Sequence, residues 1–167
     1  MSIVDAFKAH KAVENPEFGQ KKKLVGDAVA QVQSLDKITS KKGAEWVILK
    51  TNVIHPIADP KGRETTVISG DEIVKMYDPN DSESVADLKN DLFTAGIDVE
   101  FEAETEEEFY ASLASVAKDK LIYFRTWAKD KTKEQMEKNP NSSFFQNIVI
   151  KSKNMITPEN SVAELPF

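Results

Sequence analysis

Five consecutive residues, Tyr123-Phe124-Arg125-Thr126-Trp127, set an aromatic, a cation and an aromatic two positions apart. On an extended chain, side chains two apart share a face. Tyr123, Arg125 and Trp127 would then form a platform that stacks on planar groups and pairs with anions. Lys129 and Lys131 follow directly. A second set lies upstream: Lys41 and Lys42 in an SKKG turn, then Trp46 and Lys50 on one face of WVILKTNVI, with Asn52 two residues on. Phe144 and Phe145 are neighbours, so on a strand they point to opposite faces, one to a core and Phe145 or its neighbour to a platform.

Each feature also has a plain structural reading. Trp46 beside Val47 and Leu49 fits a core or rim position. The triplet could also face inward and leave Ile122, Phe124 and Thr126 outside. Burying Arg125 without a partner is costly, which favours the outward orientation. Lys21 to Lys23 reads as a solvated run before a strand.

Catalytic chemistry finds less footing. Glu106, Glu107 and Glu108 are consecutive at a helix start, where they spread around the axis instead of converging on a metal. There they favour the helix dipole. His10 and His55 stand alone, and there is no Gly-rich phosphate loop. No catalytic constellation, metal site or cofactor motif emerges, and the reading is of a non-enzyme. A nuclease would need carboxylates gathered from distant strands.

The elements that must hold these residues follow from periodicity. An opening helix is expected over residues 3–13, stopped by Asn15-Pro16. Residues 24–33 (LVGDAVAQVQ) read as a strand whose small apolar side, Leu24, Gly26, Ala28, Ala30 and Val32, faces the core. Residues 46–54 form a second strand, broken from Pro56 to Gly62, and RETTVIS at 63–69 a third. The period then changes. Val85, Leu88, Leu92 and Ala95 recur at helical spacing before Gly96, and Thr105 with Glu108 reads as a capping box opening a second helix. LIYFRTW at 121–127 is the fourth strand, 129–142 a long charged loop, FFQNIVI at 144–150 the fifth strand, and the chain after Ser152 an extended tail. Residues 1–20 form an extension, 21–153 the domain with a helical insert at about 71–117, and 154–167 the tail.

The chain has 167 residues, enough for one domain with a sizeable core. It contains no cysteine, which excludes disulfides and thiolate chemistry and fits a reducing cytoplasm. No run of about 18 apolar residues is present, so no membrane span is expected. The first residues lack the pattern of a secretory signal. Net charge is −6, unevenly spread. Residues 71–108 carry fourteen acids and two lysines, so the remainder is net basic. Overall acidity argues against a protein that coats nucleic acid through bulk charge, but leaves room for a local basic groove. The acids read as solvated helix faces, or as a block that repels a polyanion from one side.

Three strands, a helical insert and two strands is the element order of the OB-fold, a mainly β, five-stranded Greek-key barrel with helices between strands three and four. On that order, on the strand–SKKG–strand unit, on YFRTW with its lysine-rich loop, and on the final Glu164-Leu165-Pro166-Phe167, the chain resembles OB-fold single-stranded-DNA-binding proteins of bacteriophage type. It departs from them in having only Glu159 and Glu164 near the tip, no long Gly- or Gln-rich linker, and a longer helical insert. The resemblance implies sequence-independent binding of single-stranded DNA in replication, recombination or repair, in the host cytoplasm. It implies contacts from Lys41, Lys42, Trp46, Lys50, Tyr123, Arg125, Trp127, Lys129, Lys131 and Phe145. The tip would recruit replication or recombination proteins, with Phe167 filling a pocket, and the protein would self-associate as a dimer. The competing reading is a protein-interaction module on an OB-like scaffold with an acidic surface and no affinity for DNA.

Overall fold

The computed structural model describes residues 22–138 and 142–162. The expected helix over 3–13, Lys21, and the tip residues Glu164, Leu165, Pro166 and Phe167 lie outside the described residues. The chain is mainly β with a few helices. In order come β1 (Gly26–Thr39), β2 (Glu45–Ile57), β3 (Glu72–Tyr77), α1 (Ser82–Thr94), α2 (Glu106–Ala117), β4 (Leu121–Asp130), α3 (Lys133–Lys138), β5 (Phe144–Lys151) and a 3-10 turn (Lys153–Met155).

The five strands form one antiparallel sheet in the order β3-β2-β1-β4-β5. The sheet is not closed into a barrel, since no ladder joins β3 to β5 among the described residues. It curls nonetheless. The β1–β2 register shifts between Val29 and Ala30 and again between Val32 and Ser34, and such irregularities bend a strand and sharpen its twist. The curl brings the two edge strands near enough that α1 touches both β3 and β5.

The concave side holds the core. Ala28, Ala30 and Val32 of β1 face inward, as the alternation predicts, with Leu49, Ile122 and Phe124 from the flanking strands. Leu88 and Leu92 of α1 and Leu113 and Ala117 of α2 cover them. Both helices start as their sequences dictate. Asp81 caps the Glu83 N–H at 3.2 Å and Thr105 the Glu108 N–H at 3.1 Å. The Glu108 side chain closes its box on the Glu104 N–H rather than on Thr105. Asp91 of α1 ties the helix to β3, accepting from Lys75 Nζ at 2.5 Å and Tyr77 Oη at 2.6 Å.

The third strand is not where its β-branched residues suggest. RETTVIS at 63–69 forms no ladder. Thr66 clasps the lead-in to β1 instead: its N–H donates to the Val25 carbonyl at 2.9 Å, and its Oγ1 accepts from Val25 N and donates to the Lys23 carbonyl, both at 2.9 Å, while the Ile68 N–H donates to Asp71. This clasp needs Gly26, whose φ is +130° and where a Cβ would lie 3.0 Å from Thr65 Cβ. The true third strand is EIVKMY, inside the stretch expected to open the helical insert. Three other expectations shift. β2 runs through Pro56 to Ile57, because β3 pairs only with Val47–Asn52 and an edge tolerates proline. The expected loop at 129–142 gives its first residues to β4 and forms α3. The chain after Ser152 is not extended but turns, with Thr157 and Asn160 bonded reciprocally at 2.7 and 3.3 Å. It then reaches the far side of the sheet, where the Val162 carbonyl lies 3.3 Å from His55 Nδ1 of β2.

Phe124 is fully buried at the centre of this core. Phe124→Ala should therefore lower unfolding free energy by about 3–5 kcal/mol, read from the shift of a urea transition at unchanged slope.

Candidate functional site

With Ile122, Phe124 and Thr126 turned inward, β4 presents Tyr123, Arg125, Trp127 and Lys129 on the convex face. The β4–β5 register adds to it. Tyr123 is opposite Lys151, Arg125 opposite Val149, Trp127 opposite Asn147 and Lys129 opposite Phe145. Opposite residues share a face, so Trp127 and Phe145 are diagonal neighbours. Each is 45% exposed, which leaves a large apolar ring surface open to solvent. Lys131 Nζ stands 5.1 Å above the Phe145 ring centroid, within cation–π range. Arg125, Lys129, Lys131 and Lys151 thus flank two exposed aromatic rings.

The triplet is not three equal members. Tyr123 is only 4% exposed and offers no ring face to a ligand. Its hydroxyl donates to Asp27 Oδ2 at 2.7 Å. The same carboxylate receives Arg125 through Nε and Nη2, both at 3.0 Å. Such side-on pairing fixes the plane of the guanidinium. Tyr123 therefore positions Asp27, Asp27 positions Arg125, and only Arg125 and Trp127 face solvent. Burial, then the bond to Asp27, pushes the Tyr123 phenol up to about 12, and the Asp27 bond raises Arg125 further.

The structure divides the ten predicted site residues. Tyr123, Arg125, Trp127, Lys129, Lys131 and Phe145 come together. Lys41, Lys42, Trp46 and Lys50 do not join them. Trp46 is opposite Ile38 on β1, whereas Arg125 is opposite Asp27. At about 3.3 Å per residue, that is up to ~36 Å of strand. Lys41 and Lys42 are exposed in the turn beyond, and Lys50 is half-buried opposite Ser34. Trp46 is half-buried too, with its Nε1 sealed from solvent and unpartnered among the described residues. It is a rim residue, not an open platform.

Three residues outside the predicted set belong with the platform. Asp27 orients it. Lys61 and Arg63, on the connection from β2 to β3, line a cleft shared with Arg125 and Trp127. Lys61 and Arg63 are visible in the sequence as a basic pair, but nothing local says which strand they meet. The carboxylates Glu106 and Glu108 are committed elsewhere, Glu106 to Lys37 at 2.8 Å and Glu108 to the α2 cap. No group of His, Asp or Glu among the described residues is arranged to hold a metal. No helix among them is long and apolar enough to cross a membrane.

No protein-family model matches the chain, and no curated protein matches its sequence.

All three tyrosines are pushed above their ordinary 10.0: Tyr77 and Tyr110 chiefly by burial, Tyr123 by burial and Asp27. A raised folded-state value means that the neutral phenol stabilises the fold fully below pH ~10, and that this is lost as pH rises through the folded values. At pH ~10.5, where unfolded tyrosine is mostly ionised, the native protein should show clearly less phenolate absorbance than the unfolded chain. Asp27→Asn should bring one phenol down in the same titration.

Proposed function

We propose that the chain binds single-stranded DNA without reading sequence, along the convex face of β4 and β5, and so shields strands exposed during replication, recombination or repair. One observation carries this reading: two large aromatic rings are left exposed as diagonal neighbours, ringed by Arg125, Lys129, Lys131 and Lys151. A single strand needs this combination. Its bases stack on any flat ring, each worth about 1–3 kcal/mol, while its phosphates follow a line of cations. A duplex hides its base faces and gains only the phosphate contacts.

The charge map supports the reading. The acids on α1 and α2 belong to the helices that cover the concave side. The aromatic platform is on the other side of the sheet, so the field repels a polyanion from one face and admits it to the opposite one. The strand order supports the OB reading of the fold. A Greek-key barrel of the order β1-β2-β3-β5-β4, opened between β3 and β5, yields the observed sheet, and α1 occupies the opening. In this proposal Lys41, Lys42, Trp46 and Lys50 are not primary contacts.

A protein-interaction role has one observation in its favour. Phe93, at the end of α1, is 82% exposed beside a groove formed with residues 96–100 and 152–154. It does not account for the aromatics and cations of β4 and β5.

Tryptophan fluorescence decides between the two, since Trp46 and Trp127 are the only reporters. Oligo(dT) should quench the emission, duplex should do so weakly, and affinity should fall with salt at a slope near −0.7 per phosphate contacted. Trp127→Ala should remove the quenching and weaken binding about 5- to 150-fold, Phe145→Ala should weaken it comparably, and Trp46→Ala should leave it unchanged. No quenching, together with a blank gel shift at low salt, would overturn the proposal in favour of the interaction module.

A further inference from the structure

Beside the platform lies a cleft of about 540 Å³, lined by Ile57, Pro60, Lys61, Arg63, Arg125 and Trp127, among others. Its size falls within the roughly 300–1,000 Å³ of small-ligand sites. We propose that it is a subsite for one unpaired nucleotide of a strand already engaged on Trp127, the base entering the cleft and its phosphate meeting Arg63 and Lys61. The inference rests on the single-strand reading above and extends it to residues outside the sheet.

Two features make the cleft a built one. The first is the rigidity of its outer wall. Asp59 accepts from the Lys61 N–H at 2.8 Å, and the Asp59 carbonyl from the Gly62 N–H at 2.9 Å. Gly62 takes a φ of +71°, which completes a tight turn. The Thr66 clasp then presses the returning chain onto Val25 and Gly26, so the wall is held at both ends. Its spacing from β4 is set before any ligand arrives.

The second is a repeated device. Arg63 is held by Asp59 mainly through Nε at 2.5 Å, with Nη2 at 3.5 Å, a looser version of the two 3.0 Å bonds by which Asp27 holds Arg125. Asp59 accordingly sits below the usual carboxylate range, chiefly through the Arg63 bond. A guanidinium has five N–H donors, and side-on pairing uses only part of the fork. The remaining donors of both arginines stay open, those of Arg125 in the plane that its two bonds to Asp27 set. The Arg63 side chain is 71% exposed while its carboxylate is 12% exposed, so the cation and not the acid meets solvent. Each pair is near neutral as a unit. Such a cleft suits an uncharged base and sugar, with phosphate confined to the rim where the open donors are. Trp127 and Arg125 belong to both platform and cleft, which makes the two parts of one continuous path.

The test uses the full chain, oligo(dT) and amide NMR. Adding oligo(dT) should shift the Lys61, Gly62 and Arg63 amides together with those of Trp127 and Phe145. Arg63→Ala should weaken binding about tenfold, the loss of one charge-assisted contact, and flatten the salt slope by about 0.7. Lys61→Ala should flatten it similarly. Unchanged melting would show that the fold is intact. If β4 and β5 amides shift while 61–63 stay still, and Arg63→Ala binds as the parent does, the subsite is overturned and the platform stands. If 61–63 shift and Trp127 and Phe145 do not, the strand meets the cleft without engaging Trp127, and the subsite as proposed is overturned together with the platform. If nothing shifts and nothing binds, both are overturned.

Discussion

The burial of Phe124 is the constraint on which the rest depends. A strand alternates with a period of two, so sealing one ring inside commits every other position on β4. Ile122 and Thr126 go in with it; Arg125, Trp127 and Lys129 go out. A slip of one residue would put a guanidinium into the core and expose the largest fully buried side chain, so the register has no near competitor. The register of β4 then determines which β1 residue faces Arg125, and that residue is Asp27. An apolar decision on one side of the sheet thereby fixes an ion pair on the other.

That division also separates the charges of a chain that is acidic overall. The helices bury their apolar stripes on the concave side and carry acids on their outer surfaces. The convex face of β4 and β5 carries Arg125, Lys129 and Lys151, with Asp27 beside Arg125 on β1. The net charge of −6 is thus a poor guide to the field at the convex face. The local arrangement counts, because exposed charges more than about 10 Å apart are largely screened at ordinary ionic strength.

Much of this was legible in the sequence because it is local. The alternation in LIYFRTW, the cost of burying an arginine, and the helical spacing of Leu88 and Leu92 each need only a few neighbouring residues. What could not be read is long-range. RETTVIS has the composition of a strand, yet its hydrogen bonds go to Val25, some forty residues earlier. EIVKMY was hidden among acids, although Ile73 and Tyr77 face the core. Asp27 was one acid in an apolar strand, and its partners Tyr123 and Arg125 lie 96 and 98 residues away. Trp46 and Trp127 looked equivalent as aromatic residues near lysines. Only the pairing of β1 with β2 along one stretch and with β4 along another shows that they belong to different ends.

The seam between β3 and β5 has a mechanical consequence. On the β3 side α1 is pinned by polar bonds through Asp91, and toward β5 it makes packing contacts. Backbone ladders are stiff, because sliding them breaks several hydrogen bonds together, whereas packed side chains yield in small steps. The ring of strands is therefore compliant at one place. β4 and β5 are joined by a continuous ladder from Tyr123–Lys151 to Asp130–Phe144, so the gap between the Trp127 and Phe145 rings is held by backbone bonds, and the seam lets the two strands shift together against β3.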